Sequence, residues 1–356
     1  MILPIIMSII YLEGMKKNRR TIIFIPGFKG STLLNSEGTL IWPNFIKAQF
    51  NRTISLSNDL PNIHIENAIH YESADIVESV TILPGLYKYP IYAKFIKALK
   101  KTVSPNMRLV VFHYDWRQDL MLTIAKLQTL IEKIAQDDGG QIDIISHSMG
   151  GLIASYVLQT IEVDVIRQVF LIAVPFQGSL KILLDLIYGS KFGLNKTLLS
   201  AKAMSSFPSL YYLLPRYSDV VSEHDIFDIE TWKKFKLGYL TQLGDEAQLK
   251  FLKSQLDNAS HFYNKLELAE NKICEKTKLI FINSQVYPTP IQIELKPKIN
   301  IISGMGDGSI SNLSLLVPEY FKRFNHEIYP INKPHALSFT SDELIKIILK
   351  NLESRV

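Results

Sequence analysis

The stretch "DIISHSMGGLIASYV", Asp143 to Val157, is an apolar run that breaks at Ser-His-Ser-Met-Gly-Gly and resumes at once with helical spacing. Two hydroxyls, an imidazole and two glycines make a poor core, so the break has a task. A strand that ends in a one-residue turn and leads straight into a helix holds the turn residue in strained geometry and lifts its side chain above the sheet. Small residues two before and two after it let strand and helix pass closely. Ser146 and Gly150 stand in those places around Ser148, so the stretch reads as G-x-S-x-G with its first glycine replaced by serine. An ordinary strand-to-helix connection with a serine cap uses the same residue types. Position favours the first reading, because the turn follows a parallel-type strand, precedes an amphipathic helix and has further strands downstream.

Working outward, "RRTIIFIPGFKGS" holds a run of strand formers, Thr21 to Ile25, stopped by Pro26-Gly27, and "SVTILPG" is a second such run. Continuous apolar runs predict strands buried on both faces of a parallel sheet. "MRLVVFHYDWR", "QIDIIS" and "VIRQVFLIAVPFQGS" read the same way. Between them "PIYAKFIKALKK" places Ile91, Phe95, Ile96 and Leu99 on one helical side, and "DLMLTIAKLQTLIEKIAQDDGG" is helical and ends in glycines. The rhythm is lost from about Leu180 to Glu275, and "TKLIFINSQ", "PKINIIS" and "FNHEIYPI" then restore strands. The expected fold is an α/β-hydrolase: a mostly parallel sheet with helices on both faces and a helical cap or lid insertion. The expected divisions are an N-terminal segment, 1–20, a first core part, 21–179, the insertion, 180–275, and a second core part, 276–356.

Composition narrows the class. Hydrophobic residues at 47% and charged residues at 21% are ordinary for a soluble globular chain. The excess of 39 basic over 34 acidic residues is mild and has no long basic block. It predicts no nucleic acid partner and suits weak attraction to an anionic membrane or an acidic substrate. One cysteine, Cys274, excludes an intramolecular disulfide and a cysteine-based metal site, which fits a reducing compartment. The apolar start "MILPIIMSIIYLEGMKKNRR" has signal-peptide length, but its positive charges follow the apolar stretch, and it is too short to span a bilayer. Met15 reads equally well as a start. The expected location is cytoplasmic or peripheral to a membrane, with secretion left open by that apolar stretch.

A serine hydroxyl needs a base and an orienting acid, in the chain order Ser, Asp or Glu, His for this fold. Of eight histidines, His224, His261, His326 and His335 lie downstream of Ser148. His224 and His261 fall in the insertion and His326 inside a strand-like run, so His335, in the loop "NKPHALSF", is the expected base. Asp307 in "IISGMGDGSIS" is the expected acid. A plain turn is the alternative, and a cation loop would need partner carboxylates. The oxyanion donors are expected to be the amides of Met149, the residue after Ser148, and of Phe28, in the loop after the first strand. A simple Pro-Gly turn is the other reading of "FIPGFKGS". No metal and no cofactor is called for.

Together these pieces resemble one family, the lecithin:cholesterol acyltransferase-like branch of the α/β-hydrolases, which includes lysosomal phospholipase A2 and phospholipid:diacylglycerol acyltransferases. The similar pieces are Pro26-Gly27 with Gly30-Ser31, "YDWR" at Tyr114 to Arg117, "SHSMGG" at Ser146 to Gly151, "VPFQGS" at Val174 to Ser179, "FPSLYYLLP" at Phe207 to Pro215, "GDGS" at Gly306 to Ser309, and His335. The resemblance implies Ser148, Asp307 and His335 as a catalytic triad, Phe28 and Met149 at the oxyanion hole, and a scaffold role for Asp115, Trp116 and Arg117. Trp42 resembles a tryptophan near the family's membrane-binding patch, where it is either an exposed lipid anchor or buried. Ser146 departs from the family glycine, and the secreted members' disulfides have no counterpart here. The implied function is a serine hydrolase or acyltransferase that cleaves or transfers acyl groups of lipid esters through an acyl-enzyme, with transient membrane-surface contact. A soluble esterase or thioesterase, and a non-catalytic binding relative, are the alternatives. The Leu-, Phe- and Tyr-rich insertion is either a lid over an acyl pocket or a cap whose aromatics are core.

Overall fold

The computed structural model describes residues 19–43, 54, 72–83, 87–138, 140–192, 195–242, 244–268, 276–295 and 298–353. The apolar N-terminal stretch before residue 19 and Cys274 lie outside them. The chain first forms β1 (Arg20–Ile25), β2 (Ser31–Leu34), β3 (Leu40–Trp42), β4 (Glu72–Ile76), β5 (Ser79–Leu83) and β6 (Tyr87–Pro90). Strand and helix then alternate through α1 (Ala93–Thr102), β7 (Met107–Val111), α2 (Leu120–Asp138), β8 (Ile142–His147), α3 (Met149–Thr160) and β9 (Ile166–Ile172). A largely helical excursion follows, with α4 (Leu180–Tyr188), β10 (Ser190–Phe192), β11 (Asn195–Leu199), α5 (Ala201–Ser205), α6 (Pro208–Tyr211), α7 (Ile229–Phe235) and α8 (Glu246–Leu268). The chain returns with β12 (Lys278–Asn283), β13 (Tyr287–Glu294), β14 (Asn300–Gly306), α9 (Glu319–Lys322), β15 (His326–Pro330) and α10 (Asp342–Glu353).

Six strands form the central sheet in the order β15-β12-β9-β8-β1-β7, and every pairing is parallel. Alternate residues of each strand enter opposite layers. Ile22, Phe24, Ile145, Phe170 and Ile280 pack with Phe95, Leu99, Leu344 and Ile348 of α1 and α10. Ile23, Ile25, Ile144, Val169, Leu171 and Phe281 pack on the other side with α2, α3 and the excursion. Two apolar layers explain why these strands read as unbroken hydrophobic runs. Because β9 pairs directly with β12, residues 173–277 leave the sheet and come back to the adjacent position.

The N-terminal end of the sheet carries a buried charge. Asp143 is fully buried, and its carboxylate accepts from Arg167 Nε at 2.8 Å and from Arg20 Nε. Removing one partner of a buried ion pair strands the others. Asp143→Ala is expected to lower unfolding stability by about 3–5 kcal/mol, read as a drop in the urea midpoint.

Two expected central strands lie elsewhere. Ser79–Leu83 forms a separate antiparallel hairpin with Tyr87–Pro90. The "PKINIIS" strand, β14, pairs antiparallel with β13 and is largely exposed. Only three residues separate β5 from β6 and five separate β13 from β14, whereas parallel neighbours need a crossover of about a dozen or more. β13 was not among the expected strands. Its Pro288 and Pro290 suit a two-stranded ribbon outside the main sheet.

Several of the excursion's aromatics are core, while Tyr188 is exposed. Phe207, Tyr211, Tyr212, Phe262 and Tyr263 are all buried. The Phe262 ring stacks on Tyr156 of α3 at 4.9 Å, and the Tyr263 hydroxyl donates to the Tyr212 carbonyl at 2.6 Å. Gln159 of α3 donates to the Leu266 carbonyl. These rings therefore bind α8 to the back of α3.

Candidate active site

β8 ends at His147 and α3 begins at Met149, so Ser148 alone makes the turn, at φ 52° and ψ −122°. Its N–H donates to the Ile172 carbonyl at 2.9 Å, and its carbonyl accepts from Gly151 N at 2.8 Å. The crossing needs small residues. A Cβ on Gly150 would lie 2.5 Å from the Pro26 oxygen, and one on Gly27 would lie 3.0 Å from the Ser148 Cβ. Ser146 is accommodated because its hydroxyl donates to the Phe170 carbonyl at 2.8 Å, which leaves no polar group unmet by this departure from glycine.

The loop after β14 brings Asp307 to the turn. Its carboxylate is fully buried, and one oxygen accepts from the Ser309 and Ile310 amides at 2.9 and 2.7 Å. The other oxygen meets His335 Nδ1 at 2.7 Å, while His335 N donates to the Asp307 carbonyl at 2.8 Å. His335 Nε2 lies 3.0 Å from Ser148 Oγ. An imidazole held by a buried carboxylate on one nitrogen and facing a hydroxyl on the other is equipped to take that hydroxyl's proton. The three residues singled out from the sequence are thus brought together in one hydrogen-bonded row. The remaining downstream histidines are elsewhere: His224 packs on the Phe235 ring, His261 lies on α8, and His326 Nδ1 meets the Phe324 carbonyl.

Met149 opens α3, so its N–H is one of the first-turn donors without a helical acceptor. Phe28 follows Gly27 in the turn that passes beside Ser148, and its ring meets Trp116 edge-on at 5.1 Å. That turn is braced by the Tyr-Asp-Trp-Arg segment. Tyr114 donates to the Pro26 carbonyl at 2.8 Å, and Trp116 Nε1 donates to the Ser31 carbonyl at 3.0 Å. Arg117 is fully buried on the Asp115 carboxylate. Trp42 is also buried, with its Nε1 on the Lys29 carbonyl at 2.9 Å and its ring against Trp116, so it supports the turn and is no exposed anchor. The Pro-Phe-Gln-Gly-Ser segment braces the acid loop, through Ser179 Oγ on the Ser309 carbonyl at 2.6 Å and Gln177 N on Ser314 Oγ at 3.0 Å. Among the described residues no group of three or more His, Cys, Asp or Glu side chains is placed to hold a metal ion.

The lecithin:cholesterol acyltransferase family model matches residues 32–313, most of the chain, including Ser148 and Asp307. The chain belongs to the lecithin:cholesterol acyltransferase family. The match ends before His335. An uncharacterized protein of Saccharomyces cerevisiae, YJR098C, is 32% identical over 160 residues, 42% of this chain and 24% of the yeast protein. The chain thus spans about a quarter of the length of that curated relative. Among solved structures, a chain of the Tle4–Tli4 complex aligns with a TM-score of 0.60 at 12% identity, covering 95% of this chain and 98% of that one. The lipase BlEst2 of Bacillus licheniformis aligns with a TM-score of 0.42 at 12% identity, covering 96% and 94%. The fold is that of the α/β-hydrolases.

One cation sits beside the Phe28 turn. Lys29 takes a left-handed φ of 64° and carries its ammonium 4.8 Å over the Phe28 ring. The side chain is half-buried overall, but burial of the ammonium lowers its pKa from 10.5 to about 8; Asp185 partly opposes this and Lys181 adds to it. Below pH 8 the charged form is present folded and unfolded, so the cost of burying it is full. Between 8 and 10.5 the folded chain sheds the proton and the unfolded chain keeps it, so this contribution to stability rises with pH. Lys29→Met is therefore expected to raise the melting temperature most near neutral pH, with the gain shrinking toward pH 10, as read by thermal scans across that range.

Proposed function

We propose that the chain is a serine hydrolase or acyltransferase of lipid esters, of the phospholipase A or O-acyltransferase type, with Ser148 as nucleophile, His335 as general base and Asp307 as orienting acid. The observation that carries this reading is the row Asp307–His335–Ser148 at 2.7 and 3.0 Å, ending on a serine held at positive φ at a helix start. Ser148 Oγ attacks the ester carbonyl as His335 Nε2 takes its proton. The amides of Phe28 and Met149 receive the oxyanion, whose charge the start of α3 also favours. When the tetrahedral intermediate collapses, the carbon–oxygen bond to the alcohol breaks and His335 returns the proton to that alcohol. Water or an acceptor alcohol, deprotonated by His335, then attacks the acyl-enzyme and frees Ser148. A lipid substrate is supported by family membership, and transient contact with an anionic membrane surface by the mild basic excess.

The test is labelling of wild type and Ser148→Ala with a fluorophosphonate probe, followed by peptide mass spectrometry and assays on phosphatidylcholine vesicles with and without an acceptor alcohol. Labelling confined to Ser148, with turnover that rises once the substrate aggregates, is the expected result. Labelling without that rise would point to a soluble esterase. A folded protein unlabelled even with detergent or vesicles present would turn the reading to a binding protein.

A further inference from the structure

Behind the row of three lies a second, buried one. Tyr92, at the start of α1, accepts a hydrogen bond from Gly27 N at 3.1 Å and meets His147 Nδ1 at 2.7 Å. Gly27 N–H belongs to the residue before Phe28, and His147 is the residue before Ser148. The His147 ring lies 5.1 Å from the His335 ring, inclined by 31°, and Phe339 closes its other side at 5.1 Å. One chain of contacts therefore joins the oxyanion turn, the nucleophile turn and the base.

Proton placement follows from counting donors. Tyr92 has one O–H, and its oxygen is already accepting from Gly27. If that O–H donates to Nδ1, every polar atom of the row except His147 Nε2 is satisfied, and among the described residues Nε2 is the atom without a hydrogen-bond partner. The reverse arrangement would leave both the Tyr92 proton and Nε2 unmet. His147 is thus an uncharged imidazole with its proton on Nε2. Two titratable groups act on it, Tyr92 through this bond and His335 by charge, with Asp307 beyond His335. Burial, then the charge on His335, hold its pKa well below the usual histidine range, against a smaller pull from the His335 main chain. Burial also raises the pKa of Tyr92, so it stays a phenol.

We infer that Tyr92 and His147 are positioning residues of the proposed reaction: they fix the Gly27–Phe28 amides against the Ser148 turn and keep an uncharged acceptor for Tyr92 beside His335. The inference rests on the reading of Ser148, Asp307 and His335 given above. A cation at His147 would oppose the imidazolium that forms on His335 during turnover, and the Tyr92 hydrogen bond to Nδ1 disfavours that cation. Tyr92→Phe removes both the acceptor for Gly27 N–H and the donor to Nδ1. His147→Leu removes the ring, while His147→Asn keeps an oxygen near the place of Nδ1 and cannot titrate.

The experiment measures kcat and KM for p-nitrophenyl butyrate over acid to neutral pH in the full chain and these three variants, with circular dichroism to check folding. Tyr92→Phe and His147→Leu are expected to lower kcat by about 10- to 100-fold with KM little changed, the usual cost of displaced catalytic groups. The loss should be of similar size across this pH range, and His147→Asn should recover most of kcat. An unchanged kcat in Tyr92→Phe, or His147→Asn as impaired as His147→Leu, overturns the inference. If Tyr92→Phe does not fold, the comparison of the two His147 variants decides. A wild type that fluorophosphonate does not label at Ser148 overturns the reading of the site and this inference with it, whereas labelled Ser148 with unaffected variants overturns the inference alone.

Discussion

Ser148→Ala is expected to lower ester turnover by about 10⁶-fold, the size of effect that follows loss of a serine nucleophile. The fold should survive it. Among the described residues Ser148 Oγ has one hydrogen bond, to His335 Nε2, and the His335 side chain keeps 17% exposure, so its freed nitrogen can turn to water. The backbone at 148 is held by bonds that alanine keeps, its N–H on Ile172 and its carbonyl on Gly151. Alanine also keeps the Cβ, and with it the strain of a φ of 52°. Ser148→Gly removes that strain and is expected to be more stable than wild type, by about 1–3 kcal/mol less the entropy glycine adds to the unfolded chain. The pair separates two things one substitution confounds: both variants should be inactive on p-nitrophenyl butyrate, and only glycine should melt higher. Alanine within tenfold of wild-type kcat would refute Ser148 as nucleophile. A glycine variant melting lower would refute the stored strain while leaving the nucleophile in place.

The turn was legible because everything that makes it is local. An unbroken run in β8, a small residue on either side of Ser148 and a helix beginning at Met149 are all written within a few positions. The long-range parts were legible only through order and loop placement. His335 and Asp307 are 187 and 159 positions from Ser148 (335 − 148; 307 − 148), yet each follows a strand-like run in a loop with little else to do. What escaped has no local mark. Tyr92 reads as one more aromatic at a helix start, and only the crossing of α1 behind β1 and β8 brings its hydroxyl to Gly27 and His147. His147 stood beside Ser148 in plain view, but a histidine upstream of the nucleophile does not fit the chain order sought for the base. The β5 and β14 runs belong to smaller antiparallel sheets because apolar, β-branched residues mark a strand but neither its partner nor its burial. The short connections at 84–86 and 295–299 were the usable signal. Trp42 likewise offered both an exposed and a buried place, and the Lys29 carbonyl that takes its Nε1 settles it as buried.

Asp307→Asn is expected to lower kcat by about 10⁴-fold without unfolding the protein, because the loop dictates which way the amide faces. One carboxylate oxygen accepts from the Ser309 and Ile310 amides, so the asparagine must keep its oxygen there and turn its NH₂ toward His335. A donor at that place requires His335 Nδ1 to accept, which moves the ring proton to Nε2. Nε2–H then faces Ser148 Oγ and cannot take its proton, although every heavy atom stays close to its position. The loss is therefore expected in kcat and in the rate of fluorophosphonate labelling, with KM and melting temperature little changed. Asp307→Ala serves as the contrast, since it leaves the Ser309 and Ile310 amides without their buried acceptor and should lose stability by about 1–3 kcal/mol as well as activity. The two variants divide the roles of one side chain: its first oxygen shapes the loop through two amides, and its second fixes the tautomer of the base. An asparagine variant that kept kcat within tenfold of wild type would show that His335 does not depend on Asp307 for its tautomer, and the acid would have to be sought elsewhere in the chain.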